Sequence, residues 1–109
     1  MKKMVNAGVV ALVPGVASAT VRGQIDICDD SGRGVVVELP QRNGFPSYIV
    51  NPRRTNGPCV PFKTGGGNAW EEAVVHFVSP DRYLSSFGYN PSRGAAIFVN
   101  GDGNVRVYN

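Results

Sequence analysis

His76 is the single histidine of the sequence, and two glutamates, Glu71 and Glu72, lie shortly before it. An imidazole and carboxylates are the groups that hydrolases use for general acid–base catalysis. No Gly-x-Ser-x-Gly nucleophile elbow and no Cys or His spacing typical of a zinc site accompanies them. We therefore expect a structural histidine and no catalytic residue, with a small hydrolase using Glu71, Glu72 and His76 as one alternative.

Arg53 and Arg54 lie in a proline-rich stretch close to Cys59, between Pro52 and Pro58. Flanking prolines and a nearby covalent link lower the entropy that a loop loses on binding. Such a loop can enter a peptidase cleft as a slowly cleaved pseudo-substrate. A solvated basic loop without a partner is the alternative interpretation.

Four aromatic residues lie in or beside the irregular middle of the chain: Phe45, Tyr48, Phe62 and Trp70. Exposed rings could stack on sugars or on a partner protein, whereas buried rings would belong to the core. The partner-binding residues predicted from the sequence are Arg53, Arg54, Tyr48 and Trp70.

Two acidic or amide-rich turns could be taken for cation sites. In residues 100–104, Asn-Gly-Asp-Gly-Asn resembles part of an EF-hand, but Phe98 and Asn109 would then replace its first and last carboxylates. Asp29 and Asp30 could assist a weak cation site or form a solvated turn, and we favour the turn. We predict no metal and no cofactor.

Cys28 and Cys59 are the only cysteines of the sequence. In an exported protein, an even pair is most simply interpreted as one disulfide. Closing a loop of this length stabilises the fold by about 3 to 4 kcal/mol in the loop-entropy model. The alternatives, a two-ligand metal site or a reactive thiol, lack further ligands and a nearby base.

The N-terminal residues have the three parts of a secretory signal. Met1-Lys2-Lys3 is followed by a weakly apolar stretch and then by Ala17-Ser18-Ala19, a small-x-small cleavage motif. The apolar stretch is shorter than the ~20 residues of a membrane-spanning helix. We expect residues 1–19 to be a cleaved signal peptide and residues 20–109 to form a single secreted, β-rich domain.

The charge of the chain excludes one class of partner. The formal net charge is +3, and it falls to +1 without Lys2 and Lys3. Binding to nucleic acid or to an anionic membrane depends on clustered cations. We expect a monomer with an extracellular protein partner, no nucleic acid and no stable membrane association.

The apolar spacing after residue 19 is mostly that of strands. Residues 25–28 and 35–39 suggest a hairpin around a Gly-containing turn, and residues 74–78 suggest a central strand. The prolines of the middle region limit residues 48–50 and 59–62 to short or edge strands. Residues 69–73 could form a helical turn or lead into the central strand, and residues 65–67, three glycines, are expected to be the most flexible point.

The last third gives the strongest local signal. We expect a loop over residues 81–94, and then two strands joined by a hairpin at residues 100–104. Asn-Gly and Asp-Gly supply the positive φ angles that tight hairpins require.

The segment Tyr83-Leu-Ser-Ser-Phe-Gly-Tyr-Asn-Pro-Ser-Arg-Gly-Ala-Ala-Ile-Phe-Val resembles the late part of a βγ-crystallin Greek-key motif. The following Asn-Gly-Asp-Gly-Asn-Val-Arg-Val-Tyr is similar to the hairpin and next strand in secreted bacterial peptidase inhibitors of that superfamily. The resemblance covers about a quarter of the chain. It implies an all-β Greek-key sandwich or small barrel and, as a family possibility, peptidase inhibition.

Together these observations predict a secreted binding protein without catalytic activity. The most concrete version is a peptidase inhibitor that presents the Arg53-Arg54 loop to an extracellular protease. An antimicrobial or cell-wall toxin that binds carbohydrate through Tyr48, Phe62 or Trp70 is the first alternative, and the small hydrolase is the second.

Overall fold

A computed structural model describes residues 20–53 and 59–109 of the chain. Residues 1–19, where the signal peptide is predicted, and Arg54 lie outside these ranges. The described residues form eight strands: β1 (Gln24–Asp29), β2 (Val35–Glu38), β3 (Ser47–Val50), β4 (Val60–Lys63), β5 (Glu71–Phe77), β6 (Arg82–Tyr89), β7 (Ala95–Val99) and β8 (Val105–Tyr108). Within these ranges, the structure has no helix that could cross a membrane.

The strands form two four-stranded sheets, which confirms the all-β sandwich. The first sheet has the order β4-β1-β7-β8 and the second the order β3-β2-β5-β6. Neighbouring strands are antiparallel except β1 and β7, which are parallel. The Greek-key connection remains a prediction.

The core lies between the sheets because alternate residues of each strand face inward. Ile25 and Ile27 of β1 and Val35 and Val37 of β2 are fully buried in one cluster. Full burial of an aliphatic side chain of this size contributes about 1.5 to 3 kcal/mol. The other core members are Leu39, Val50, Ala73, Val75, Phe77, Tyr89, Ala95, Ile97 and Val99.

The predicted hairpin between residues 25–28 and 35–39 is wrong, because β1 and β2 lie in different sheets. Both segments face the same core, but from opposite layers. The turn between them is organised by Asp29, whose buried carboxylate accepts hydrogen bonds from the N–H groups of Ser31 at 2.8 Å and Gly34 at 3.0 Å. The chain therefore leaves the first sheet after β1 and enters the second.

The predicted loop over residues 81–94 is also wrong in its first half. Residues there form β6, which pairs with β5 along its length with a register shift between Val75 and His76. Its apolar residues Phe87 and Tyr89 alternate with serine and glycine. Burial against the core overrides the low strand propensity of those small residues.

The other strand predictions are confirmed. β5 lies centrally between β2 and β6, and β3 and β4 are edge strands. β7 and β8 form the expected hairpin, in which Asn100 Oδ1 accepts hydrogen bonds from the N–H groups of Asp102 and Asn104 at 3.0 and 3.1 Å. Residues 71–73 belong to β5, so of the two predictions for residues 69–73 the strand is correct and the helical turn is wrong.

The disulfide prediction is confirmed and follows from the strand register. Ile27 of β1 lies opposite Val60 of β4, so the next pair in that antiparallel register is Cys28 and Cys59. Their Cα atoms are 4.1 Å apart, and the two sulfur atoms are bonded. The bond links the inner strand β1 to the edge strand β4.

Candidate functional site

The first candidate site is the base of the Arg53 loop, which rests on the turn between β1 and β2. The N–H group of Arg53 donates to the Gly32 carbonyl at 3.0 Å, and its guanidinium donates to the Asp29 carbonyl at 3.1 Å. Gly32 and Gly34 have positive φ, and a Cβ on either would lie within 3.0 Å of Arg53 or Pro52. Only glycine permits this close contact.

Cys59, where the described chain resumes, is fixed by the disulfide to Cys28. Arg53 and Cys59 are thus both anchored, Arg53 by hydrogen bonds and Cys59 by a covalent bond. Arg53 uses part of its guanidinium to hold the loop base. The predicted binding residue Arg54 lies outside the described residues.

The second candidate site is an open groove of about 630 Å³ at the start of β5 and the end of β6. Trp70 lies at this groove with 58% of its surface exposed. The guanidinium carbon of Arg93 is 5.9 Å from the centroid of the indole ring. A Cβ on Gly88 would lie 3.5 Å from a ring carbon, an ordinary van der Waals distance, so the ring lies beside β6. The indole is therefore exposed, with Arg93 and Gly88 as its neighbours.

Polar groups of the groove come from two distant parts of the chain. The N–H group of Glu72 donates to Gln41 Oε1 at 2.6 Å, which leaves the N–H groups of Gln41 Nε2 as donors. Glu72 lies opposite Gly88, and two residues along the same face Ser86 lies opposite Val74. The groove therefore presents an amide, a carboxylate and a hydroxyl beside the indole.

The loop that carries Arg93 is also ordered by hydrogen bonds. Asn90 is buried and accepts from the N–H group of Ser92 at 3.0 Å, while its carbonyl accepts from the N–H group of Arg93 at 2.9 Å. Ser92 Oγ donates to Asn68 Oδ1 at 2.8 Å. These contacts fix the position from which Arg93 reaches the indole of Trp70.

A network around Arg42 fixes one wall of the groove. Arg42 Nε donates to Glu71 Oε1 at 2.9 Å and Arg42 Nη2 to Glu71 Oε2 at 2.8 Å. Arg42 also donates to the carbonyls of Thr64 at 2.6 Å and Gly65 at 3.2 Å. The hydrogen bond to Glu71 raises the pKa of Arg42. Because Thr64 follows β4 and Glu71 begins β5, Arg42 links the two sheets.

The same network involves the glycine run that we expected to be flexible. The N–H group of Gly65 donates to the Gly23 carbonyl at 3.2 Å, and Gly66 lies against Arg42 and Pro91 so closely that a Cβ would approach both within 2.8 Å. Gly66 is thus closely packed, whereas a Cβ on Gly65 would meet nothing within 4 Å. Both residues have the positive φ angles that glycine adopts readily.

His76 does not join the glutamates that the hydrolase alternative requires. Its Nε2 is 3.2 Å from Glu38 Oε1 and its Nδ1 is 3.6 Å from Asp81 Oδ1. Glu71 is held by Arg42, and Glu72 lies four residues before His76 on the strand, a span of about 13 Å. The structure does not assemble these three residues into one site.

The described residues among those predicted to bind a partner do not form one surface. Tyr48 packs against the core with its ring 5.8 Å from that of Phe62, so it supports the fold. Trp70 precedes β5, whereas the turn that contacts Arg53 is joined to the end of β5 by a hydrogen bond from the Val78 N–H group to the Gly34 carbonyl. Arg53 and Trp70 therefore belong to opposite ends of β5.

Sequence reasoning missed Gln41 and Ser86, which line the groove, and Arg93, which lies beside the indole. Gln41 is 31 residues from Glu72 along the chain, and no local pattern marks the contact between them. Arg93 lies in the crystallin-like segment, and its residue type and position alone indicate no role for it. The signal that pointed to the groove was the single tryptophan.

Comparisons with protein-family models, with curated proteins and with solved structures find no match to this chain. The crystallin-like resemblance of residues 83–108 stays a prediction, and the function is argued from the chain's own residues.

Proposed function

We propose that the chain is a secreted binding protein that inhibits an extracellular peptidase through the loop containing Arg53 and Arg54. The observation that carries the proposal is the pair of anchors around residues 54–58, the Arg53 contacts and the disulfide. A loop fixed at both ends loses little entropy when it enters a cleft. An internal disulfide also fits an oxidising, extracellular compartment.

In this proposal the two arginines have different roles. Arg53 positions the loop, because its guanidinium donates to the Asp29 carbonyl. Arg54 supplies the side chain for the specificity pocket of a trypsin-like peptidase, where a buried carboxylate pairs with arginine. The net charge of the chain is small, so the proposal includes no binding surface for an oppositely charged partner beyond Arg54.

The test is inhibition of a panel of trypsin-like, chymotrypsin-like and metallopeptidases by the oxidised protein expressed from the full chain. We expect slow, saturable inhibition of trypsin-like enzymes. Arg54→Ala should abolish inhibition, with circular dichroism to check that the variant is folded, and Arg82→Ala, a change at an exposed arginine of β6, should have no effect. Arg53→Ala should weaken inhibition and also lower stability.

Failure of micromolar protein to inhibit any enzyme of the panel would contradict the proposal. Secretion is tested separately by mass spectrometry of the exported product. An N-terminus at Thr20 is expected, whereas an intact Met1 in the native product would contradict processing after Ala19.

A further inference from the structure

We propose that the groove at Trp70 is a binding site for an uncharged saccharide, a site distinct from the Arg53 loop. The platform is the indole of Trp70, exposed over 58% of its surface. The face of an aromatic ring carries negative charge from its quadrupole, and it attracts the electropositive C–H groups on one face of a sugar ring. The groove is open and shallow, and such a surface receives one face of a sugar ring and leaves the other face in water.

The polar groups beside the indole match the hydroxyl groups of a sugar. Gln41 Nε2 offers N–H donors, since its Oε1 already accepts from the Glu72 N–H group at 2.6 Å. The Glu72 carboxylate can accept from two neighbouring hydroxyls, and Ser86 Oγ can both donate and accept. Each sugar hydroxyl can both donate and accept a hydrogen bond, so a mixture of donors and acceptors beside the indole suits a sugar ring that stacks on it.

The charges favour a neutral ligand over an ionic one. The Arg93 guanidinium lies 5.9 Å from the centroid of the indole ring, and the Glu72 carboxylate lines the same groove. Within the described ranges, neither side chain takes part in an ion pair. One carboxylate and one guanidinium give the surroundings of the indole no net charge, so no net attraction offsets the desolvation cost of an ionic ligand.

The groove is also organised before any ligand arrives. Glu71, which lines it, is fixed by three hydrogen bonds from Arg42, and the Gln41 amide is fixed by the backbone of Glu72. A site of this kind binds with little ordering of its own side chains.

Trp70 is the only tryptophan of the chain, so its fluorescence reports on the groove directly. The oxidised protein from the full chain is titrated with cellotetraose, chitotetraose and maltotetraose. We expect a saturable change in tryptophan emission with at least one of the three, with a dissociation constant in the millimolar to micromolar range. No saturable change with any of them would overturn the proposal.

Three variants locate the binding by calorimetry, which does not depend on the tryptophan signal. Trp70→Ala should abolish binding, and Glu72→Gln should weaken it about tenfold through loss of a charge-assisted hydrogen bond. Tyr83→Ala is the matched control, because Tyr83 is exposed to the same 58% on β6 but lies away from the groove. Circular dichroism checks that each variant is folded.

Binding that survives Trp70→Ala, or that Tyr83→Ala weakens equally, would overturn the assignment to this groove. A response to a proline-rich peptide in place of every saccharide would also overturn it. Inhibition of the peptidase panel should be unchanged in Trp70→Ala, so the saccharide site and the peptidase proposal fail or succeed separately.

Discussion

The backbone N–H group of Gly34 donates a 3.0 Å hydrogen bond to Oδ2 of the fully buried Asp29, five residues earlier. This contact closes the turn through which the chain passes from the first sheet to the second. The carbonyl of Asp29 meanwhile accepts from the Arg53 guanidinium at 3.1 Å. One residue thus supports both the crossing between sheets and the base of the candidate binding loop.

Asp29→Asn should destabilise the protein although it preserves the shape of the side chain. An amide offers one acceptor oxygen where the carboxylate offers two, so either Ser31 or Gly34 loses its acceptor. We expect a cost of about 1 to 3 kcal/mol, measured by urea unfolding. Asp30→Asn is the matched control, since Asp30 is the exposed neighbour, and equal losses in the two variants would contradict this role for Asp29.

Arg42→Lys should be destabilising despite conserving the charge. A lysine cannot reproduce the forked contact with Glu71 together with the bonds to the Thr64 and Gly65 carbonyls. We expect a loss of about 1 to 3 kcal/mol in thermal or urea unfolding. Arg106→Lys, on the exposed side of β8, should change stability little, and a similar loss there would contradict the argument.

Tyr89 should make stability depend on alkaline pH. Burial raises the pKa of Tyr89 above the ordinary value of about 10. The folded protein keeps a proton that the unfolded chain releases, so this contribution is complete below pH ~10 and is lost as the pH rises through the folded pKa. The urea midpoint should therefore fall over that range.

Tyr89→Phe removes this alkaline dependence together with the 2.6 Å hydrogen bond between the Tyr89 hydroxyl and Thr64 Oγ1. The variant should be about 1 kcal/mol less stable at neutral pH and less sensitive to alkali. Tyr83→Phe, at an exposed tyrosine, is the control. An unchanged pH profile in Tyr89→Phe would contradict the assignment.

Reduction of the disulfide should lower the free energy of unfolding by about 3 to 4 kcal/mol, because the reduced unfolded chain gains freedom. Cys28 and Cys59 are 31 residues apart in sequence. Urea unfolding with and without reductant measures the effect, and the double variant Cys28→Ala/Cys59→Ala should match the reduced protein. Identical midpoints with and without reductant would show that the bond carries no stability.

The strands that the sequence predicts correctly are those with a local cause. The alternation of Ile25 and Ile27, the prolines of the edge strands and the Asn-Gly and Asp-Gly turn each act over a few residues. Which sheet a strand joins depends on distant partners, so the β1–β2 hairpin was predicted wrongly. β6 was missed because its serines and glycine resemble a loop until β5 is placed beside it.

The candidate sites show the same division. The disulfide followed from counting cysteines, and Trp70 followed from its residue type. The contact of Gln41 with Glu72 and that of Arg93 with Trp70 need the folded chain, because they join segments that are far apart in sequence. The half-buried position of Tyr48 likewise depends on which face of β3 meets the core.

The inner position of β1 in its sheet affects the folding rate of the protein and its tendency to aggregate. Its hydrogen-bonding partners, β4 and β7, begin at Val60 and Ala95, so the first strand of the described residues is completed only by later parts of the polypeptide. Folding dominated by such long-range pairing is slow. A chain that ends before β7 would leave the backbone N–H and C=O groups along one edge of β1 unpaired. Other chains could pair with that edge, so we expect such a truncated chain to aggregate.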